Sequence, residues 1–374
     1  MNNKVSIIIT GAIVGALAIL LVKLGNPQNM GICIACFLRD ITGALGLQQV
    51  NTVQYIRPEI LGLVIGAFAT SVISKDFRVW GGSSTFTRFI LGFFVMFGML
   101  VFLGCPLRMI LRMSAGDLNA LVGLLGLVAG VSLGTVFLRK GFTLGQAVIQ
   151  NKSNGYMFPA VILILLILLL AAPAFIYFSQ QGPGSMHAPL AISLGAGIII
   201  GVLAQRTRLC LIGGIRDLIL FKELYMLYGF IAIFVVALVG NILMGNFHLG
   251  LAGQPIAHND GLWNFLGMAL GGFGCVLLGG CPLRQLIAAS EGNTDSAVTI
   301  TGLLLGAAFA HNFGLAAGTK GVPVPGQVAV VIGLIVVGAI AFFNVYFNIK
   351  TQKSSRREVP FNDGNKGCEG SSLS

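Results

Sequence analysis

The sequence predicts an all-α polytopic membrane protein of about ten transmembrane spans, built as two inverted-topology repeats, each of four spans plus a re-entrant half-helix. Three observations carry this expectation. The 374 residues are 56% hydrophobic and 9% charged, whereas soluble domains carry about 25% charged residues. The apolar stretches are long and unbroken, as in VILILLILLLAAPAFIYF from Val161 to Phe178. The pentapeptide Gly-Cys-Pro-Leu-Arg occurs twice, at 104–108 and 280–284.

Helices rather than a barrel follow from the first two observations. Hydrocarbon offers backbone groups no hydrogen bonds, so only helices and closed barrels span it. Barrel strands alternate apolar and polar residues, and no such alternation is present in the long runs. The expected spans are 5–24, 57–73, 89–104, 118–138, 158–178, 188–207, 226–245, 263–280, 297–317 and 326–348. The first resembles a signal peptide but lacks a small-residue cleavage site after the run, so it reads as an uncleaved span. Two shorter Cys-bearing pieces, 31–46 and 209–221, are too short to cross, since a span needs roughly twenty residues. They read as re-entrant half-helices.

Charge sets the expected orientation. The 23 Lys+Arg against 12 Asp+Glu give +11. The basic residues collect in loops 74–88 and 139–157 and in the stretch 350–357, while loops 46–56, 179–187 and 246–262 hold no Lys or Arg. The expected location is a bacterial inner membrane, and the positive-inside rule then puts both termini in the cytoplasm. No basic patch interleaved with aromatics stands outside the spans, so nucleic acid is not an expected partner; membrane lipid is.

The repeat is the strongest signal. Phe97–Arg108 aligns with Phe273–Arg284, and the register continues through Ser114/Ser290, Gly126/Gly302 and Gly130/Gly306. Upstream, Cys33 to Asp40 aligns with Cys210 to Asp217. The expected organisation is 1–138 as repeat 1, 139–187 as connecting loop and linking span, 188–317 as repeat 2, 318–348 as a final span, and 349–374 as a disordered cytoplasmic tail. Four spans plus one linker place the second repeat upside down relative to the first. Inverted repeats put their substrate near the bilayer midplane, between broken helices.

The residues able to carry chemistry sit at those breaks. Gly104 and Gly280 permit close backbone approach, and Pro106 and Pro282 stop one helix and can start another. Cys105 and Cys281 then stand near helix N-termini, where partial positive charge favours anions and thiolates. With Cys33 and Cys210 they are expected to converge, against the alternative that each is only a small buried residue. Cys36 and Cys275 have no cysteine repeat mate and read as packing residues. Arg108, Arg284, Arg39 and Arg216 are candidate anion guides. The alternatives are Arg–Asp anchoring for Arg39 and Arg216, and snorkelling for Arg108 and Arg284, which have no adjacent acid in sequence. Of the histidines, His187, His248 and His258 lie in or near exterior loops, and His311 reads as structural. No metal site, cofactor, nucleotide loop or catalytic triad is expected, and the chain does not read as an enzyme.

The two Cys-Pro segments, the Cys–Gly–Gly–x–Arg–Asp half-helix and the glycine-rich spans resemble the YeeE/YedE sulfur-transport family over most of residues 5–345, and most closely its selenium-associated YedE branch. The resemblance implies a cargo such as thiosulfate, selenite or a related anion. It implies an hourglass-shaped path along which thiols pass that cargo by S–H hydrogen bonds, here Cys105, Cys210 and Cys281, with Cys33 as repeat mate. It also implies a cytoplasmic sulfurtransferase-type carrier as partner, which Cys368 could meet. Two other readings stand beside a transporter: a membrane thiol-disulfide oxidoreductase using Cys33 and Cys36, and a neutral-solute channel of inverted-repeat type.

Overall fold

The computed structural model describes the backbone of residues 3–357 and the side chains of residues 4–350. The first part of the chain runs through α1 (Asn3–Lys23), α2 (Ile34–Ala44), α3 (Pro58–Ile73), β1 (Trp80–Gly81), α4 (Thr85–Val101), α5 (Pro106–Ser114) and α6 (Leu118–Arg139). Then come β2 (Val148–Ile149) and α7 (Lys152–Ala171). The order resumes with α8 (Leu190–Thr207), α9 (Leu211–Phe221), α10 (Tyr225–Leu243), α11 (Gly261–Leu277), α12 (Pro282–Ser290) and α13 (Thr294–Asn312), and closes on α14 (Val324–Arg357). The protein is a polytopic helical membrane protein.

Among the described residues, eight segments are long and apolar enough to cross a membrane. The ten expected spans exceed these by α3 and α13. At 16 residues α3 is short, and α13 carries Thr294, Asp295, Ser296, Thr299 and Thr301. Both pack against other helices, α3 on α8 and α13 on α4. A helix lined by protein needs no lipid-compatible surface.

Packing repeats when α1–α6 are exchanged for α8–α13. The pair α3·α8 becomes α10·α1, and α6·α11 becomes α13·α4; α2·α13 becomes α9·α6, and α5·α10 becomes α12·α3. All of these contacts are present. Glycines enforce two of them: a Cβ on Gly126 would strike the Phe265 carbonyl, and one on the aligned Gly302 would strike the Phe89 carbonyl. At the centre α4 crosses α11. The most apolar 18-residue stretches within α4–α5 and α11–α12 are 83% and 89% buried, against 28% for those of α7 and α10, so the former line the centre and the latter lie at the periphery.

Two expectations are corrected. Each half holds two short helices, not one, because the chain after α4 and after α11 turns sharply before each Cys-Pro. Leu103 (φ 62°) and Gly279 (φ 86°), aligned in the repeat, both occupy the left-handed region. The Pro then opens α5 and α12 at its first position. The other correction concerns the end of the chain. Helix α14 continues through Arg357, past residue 349 where disorder was expected. The remainder of the expected tail, with Cys368, lies outside the described residues.

Candidate functional site

Four short helices aim their N-termini inward, and each is capped by a cysteine. Cys33 caps α2 and Cys210 caps α9; their sulfurs accept the amide N–H of Cys36 at 3.3 Å and of Gly213 at 3.2 Å. Cys105 caps α5 and Cys281 caps α12, each in extended backbone ahead of the Pro. The four thiols form two pairs. Cys33 Sγ lies 3.8 Å from Cys105 Sγ, and Cys210 Sγ lies 3.9 Å from Cys281 Sγ. All four side chains are buried and free of disulfides. Each pair joins one half-helix to one Cys-Pro helix of the same half. Two helix N-termini thus converge on each pair, an arrangement that favours negative charge.

A cavity opens near each end of this core. One, of about 390 Å³, is lined by Arg39, Thr52, Leu103, Ile256 and His311, among others. The second, of about 490 Å³, is lined by Arg78, Arg206, Arg208 and Arg284 with Asp76 and Glu291. Thr52 precedes α3 and Asp76 follows it; Asn293 of the second cavity precedes α13 and His311 of the first lies in its last turn. The cavities therefore stand at opposite ends of both helices. At about 1.5 Å per residue the 19 residues of α13 separate them by close to 28 Å.

The four arginines named from sequence take different roles. Arg39 donates to Asp40 at 2.7 Å, and Arg216 to Asp217 at 2.8 Å. Both are anchored by their neighbouring acid, yet Arg39 also borders the first cavity. Arg284 pairs with Glu291 at 3.1 Å, a partner seven residues away at the far end of α12. Its repeat mate Arg108 has Ala115 where Glu291 stands. It is fully buried and turns inward, donating to the carbonyls of Asn29 (3.1 Å), Ile256 (2.9 Å) and Leu103, and to Cys36 Sγ at 3.3 Å. These bonds occupy the guanidinium that the sequence offered as an anion guide. Its guanidinium clamps three carbonyls, and the one that holds Leu103 fixes the left-handed turn.

Several residues escaped the sequence reading. Arg57 is fully buried and bridges Asp40 Oδ2 (2.7 Å) to the carbonyls of Pro183 and Met186, with its guanidinium over Phe37. Arg112 is buried against Asp117 at 2.7 Å and stacks on Phe102. Their charge inside an apolar run was the available signal. His311, taken as structural, leaves its buried Nε2 without a hydrogen-bond partner and borders the first cavity beside Arg39. Cys275, expected to be a packing residue, is buried in α11. It aligns with Met99, so a sulfur stands at this position in both halves. Both residues are buried one turn before a Cys-Pro break, and their carbonyls accept the amides of Gly280 and Gly104.

The family match covers the stretch that holds Cys210 and Cys281. Residues 206–362 match the family model described as Sulphur transport. The thiosulfate transporter TsuA of Escherichia coli (strain K12) is 32% identical to this chain over 119 residues, which make up 31% of the chain and 32% of that relative. The similarity thus spans about a third of the length of each protein.

Proposed function

We propose that this chain is a YeeE/YedE-type sulfur transporter, not an enzyme, and that it carries a small sulfur-containing anion, thiosulfate foremost, across a bacterial inner membrane; the Sulphur transport match and the likeness to TsuA support this. The observation that carries this reading is the pair of thiol pairs, at 3.8 and 3.9 Å, lying between cavities that open at opposite ends of α3 and α13.

The proposed path runs from one cavity to the other. Arg39 and His311 gather the anion in the first cavity. Cys33 and Cys105 receive it at two helix N-termini, where the dipoles offset its charge without a fixed cation. Cys275 and Met99 offer soft sulfur at the crossing of α4 and α11. Cys210 and Cys281 pass it to the second cavity, whose arginines Arg206, Arg208 and Arg284 draw it out. Thiols suit this work because an S–H is a weak donor. Conduction needs sites strong enough to enter and weak enough to leave. The charges of Arg39, Arg216 and Arg284 are partly spent on Asp40, Asp217 and Glu291, which keeps the anion from lodging at either mouth.

The exchange symmetry of the packing supports inverted repeats, with the basic loops and both termini on the cytoplasmic side. The arginine-lined cavity then faces the cytoplasm, where a sulfurtransferase-type carrier would collect the product. Uptake of labelled thiosulfate into proteoliposomes tests the reading. The wild type should accumulate it, and Cys105→Ala, Cys210→Ala and Cys281→Ala should each slow uptake while remaining folded. Wild-type uptake by all three would remove the relay. Selenite offered as competitor reads whether a selenium anion shares the path.

A further inference from the structure

A third and a fourth cavity, away from the thiol pairs, lie end to end on the outside of the bundle between α3 and α7. The upper one, of about 530 Å³, is lined by Lys75, Arg78 and Lys152, with Trp80 at its edge. No acidic side chain lines it, and none of the three cations has an ion pair among the described residues. The lower one, of about 350 Å³, is lined only by apolar side chains and Pro159, including Val64, Phe68 and Leu163. Val72 borders both.

The junction between them is built of aromatic rings. Phe77 stacks on Tyr156 at 4.9 Å, and Phe68 meets both edge-on at 5.6 and 6.0 Å. Phe77 and Tyr156 border the charged cavity, and Phe68 borders the apolar one. The loops above are held firmly. β1 pairs with β2 through Trp80↔Ile149 and Gly81↔Val148, and Gln150 donates its amide to the Val79 carbonyl at 3.0 Å. Pro159 inside α7 removes one helix hydrogen bond and lines the apolar groove.

A cationic bowl, an aromatic collar and an apolar groove in that order match one kind of ligand. We infer that Lys75, Arg78, Lys152 and the α3–α7 groove form a specific binding site for an anionic phospholipid, its phosphate in the bowl and one acyl chain along the groove. Tyr and Trp belong at the headgroup level, and basic residues there attract anionic lipid. Charge complementarity selects an anionic headgroup over a zwitterionic one, and the groove requires an acyl chain, which free phosphate lacks. The bound lipid would pin α7, which lies outside the repeat, to the end of α3. Arg78 also borders the arginine-lined cavity, and its amide donates to the Glu291 carbonyl at 3.1 Å, so the site adjoins the Arg284–Glu291 pair.

The test uses the delipidated full chain in detergent, titrated with phosphatidylglycerol, with phosphatidylcholine of the same chains, and with glycerol phosphate. Thermal unfolding and native mass spectrometry report binding. Phosphatidylglycerol should raise the unfolding temperature and stay bound; the other two should not. Lys75→Ala/Arg78→Ala/Lys152→Ala should weaken phosphatidylglycerol binding about a hundredfold, at about a fivefold loss per removed cation. Leu163→Trp, at a half-exposed position that can take a larger side chain, should fill the groove and abolish the effect with all three cations present. Equal stabilisation by phosphatidylcholine, equal stabilisation by glycerol phosphate, or undiminished phosphatidylglycerol binding by either variant would overturn the inference.

Discussion

Deleting thiols singly and in pairs separates a relay from a cluster of bystanders, and the spacing sets the expected sizes. At 3.8 and 3.9 Å both sulfurs of a pair can touch one cargo atom, and each offers one S–H donor. A hydrogen bond to a charged group contributes about 1.5–3 kcal/mol, and an S–H, as a weak donor, sits at the lower end. Losing about 1.4 kcal/mol at one stage slows that stage about tenfold. Cys105→Ala or Cys281→Ala should therefore slow uptake about five- to tenfold, the range depending on how far the other stage shares control. Cys210→Ala/Cys281→Ala removes both donors of one stage, and the losses multiply to about fifty- to hundredfold. Cys105→Ala/Cys281→Ala instead slows two stages in series. Their resistances add, so the rate should fall only about twofold below either single variant. The assay is the initial rate of labelled thiosulfate entry into proteoliposomes, normalised to inserted protein, with unfolding temperatures confirming intact folds. A cross-pair double that multiplies, or a within-pair double no slower than its singles, would refute the two-stage geometry.

Other consequences follow from the same coordinates. Arg108→Ala leaves two buried carbonyls, a part-buried one and the Cys36 sulfur without their donor, and should cost about 3–5 kcal/mol of stability; an unchanged unfolding temperature would show that the clamp is absent. Gly126→Leu and Gly302→Leu each drive a side chain into a facing carbonyl and should destabilise to similar extents, whereas Gly195→Ala, whose Cβ meets nothing, should not. Unequal losses at 126 and 302 would argue against the exchange symmetry. Cys275→Val keeps an apolar side chain of similar size, so it should slow uptake with little change in unfolding temperature. The opposite pattern would return Cys275 to a packing role.

The spans and the four helix-capping cysteines were legible because they rest on local chemistry. Twenty apolar residues announce a span, Pro after Cys announces a helix start, and two copies of one pentapeptide announce a repeat. The short helices α5 and α12 were harder to see. They continue the apolar runs of α4 and α11, and the turn between depends on one left-handed residue, which is Gly279 in one half and Leu103 in the other. Charge partners were legible only when adjacent. Asp40 and Asp217 follow their arginines in sequence, but Glu291 reaches Arg284 from across α12, and Arg108 finds carbonyls from loops as distant as residue 256. Cys275 aligns with Met99, so identity alone leaves it unpaired although a sulfur stands at the equivalent position of each half.

In the proposed transport route a sulfur anion rests between paired thiols on its way through the membrane. The most direct measurement is a cryo-EM or crystal structure of the protein soaked in thiosulfate, with the Cys210→Ala/Cys281→Ala variant alongside. The account predicts anion density within about 4 Å of Cys33 and Cys105 or of Cys210 and Cys281, and its loss from the second position in the variant. Density confined to the arginine-lined mouths, with both thiol pairs bare and transport intact, would contradict it.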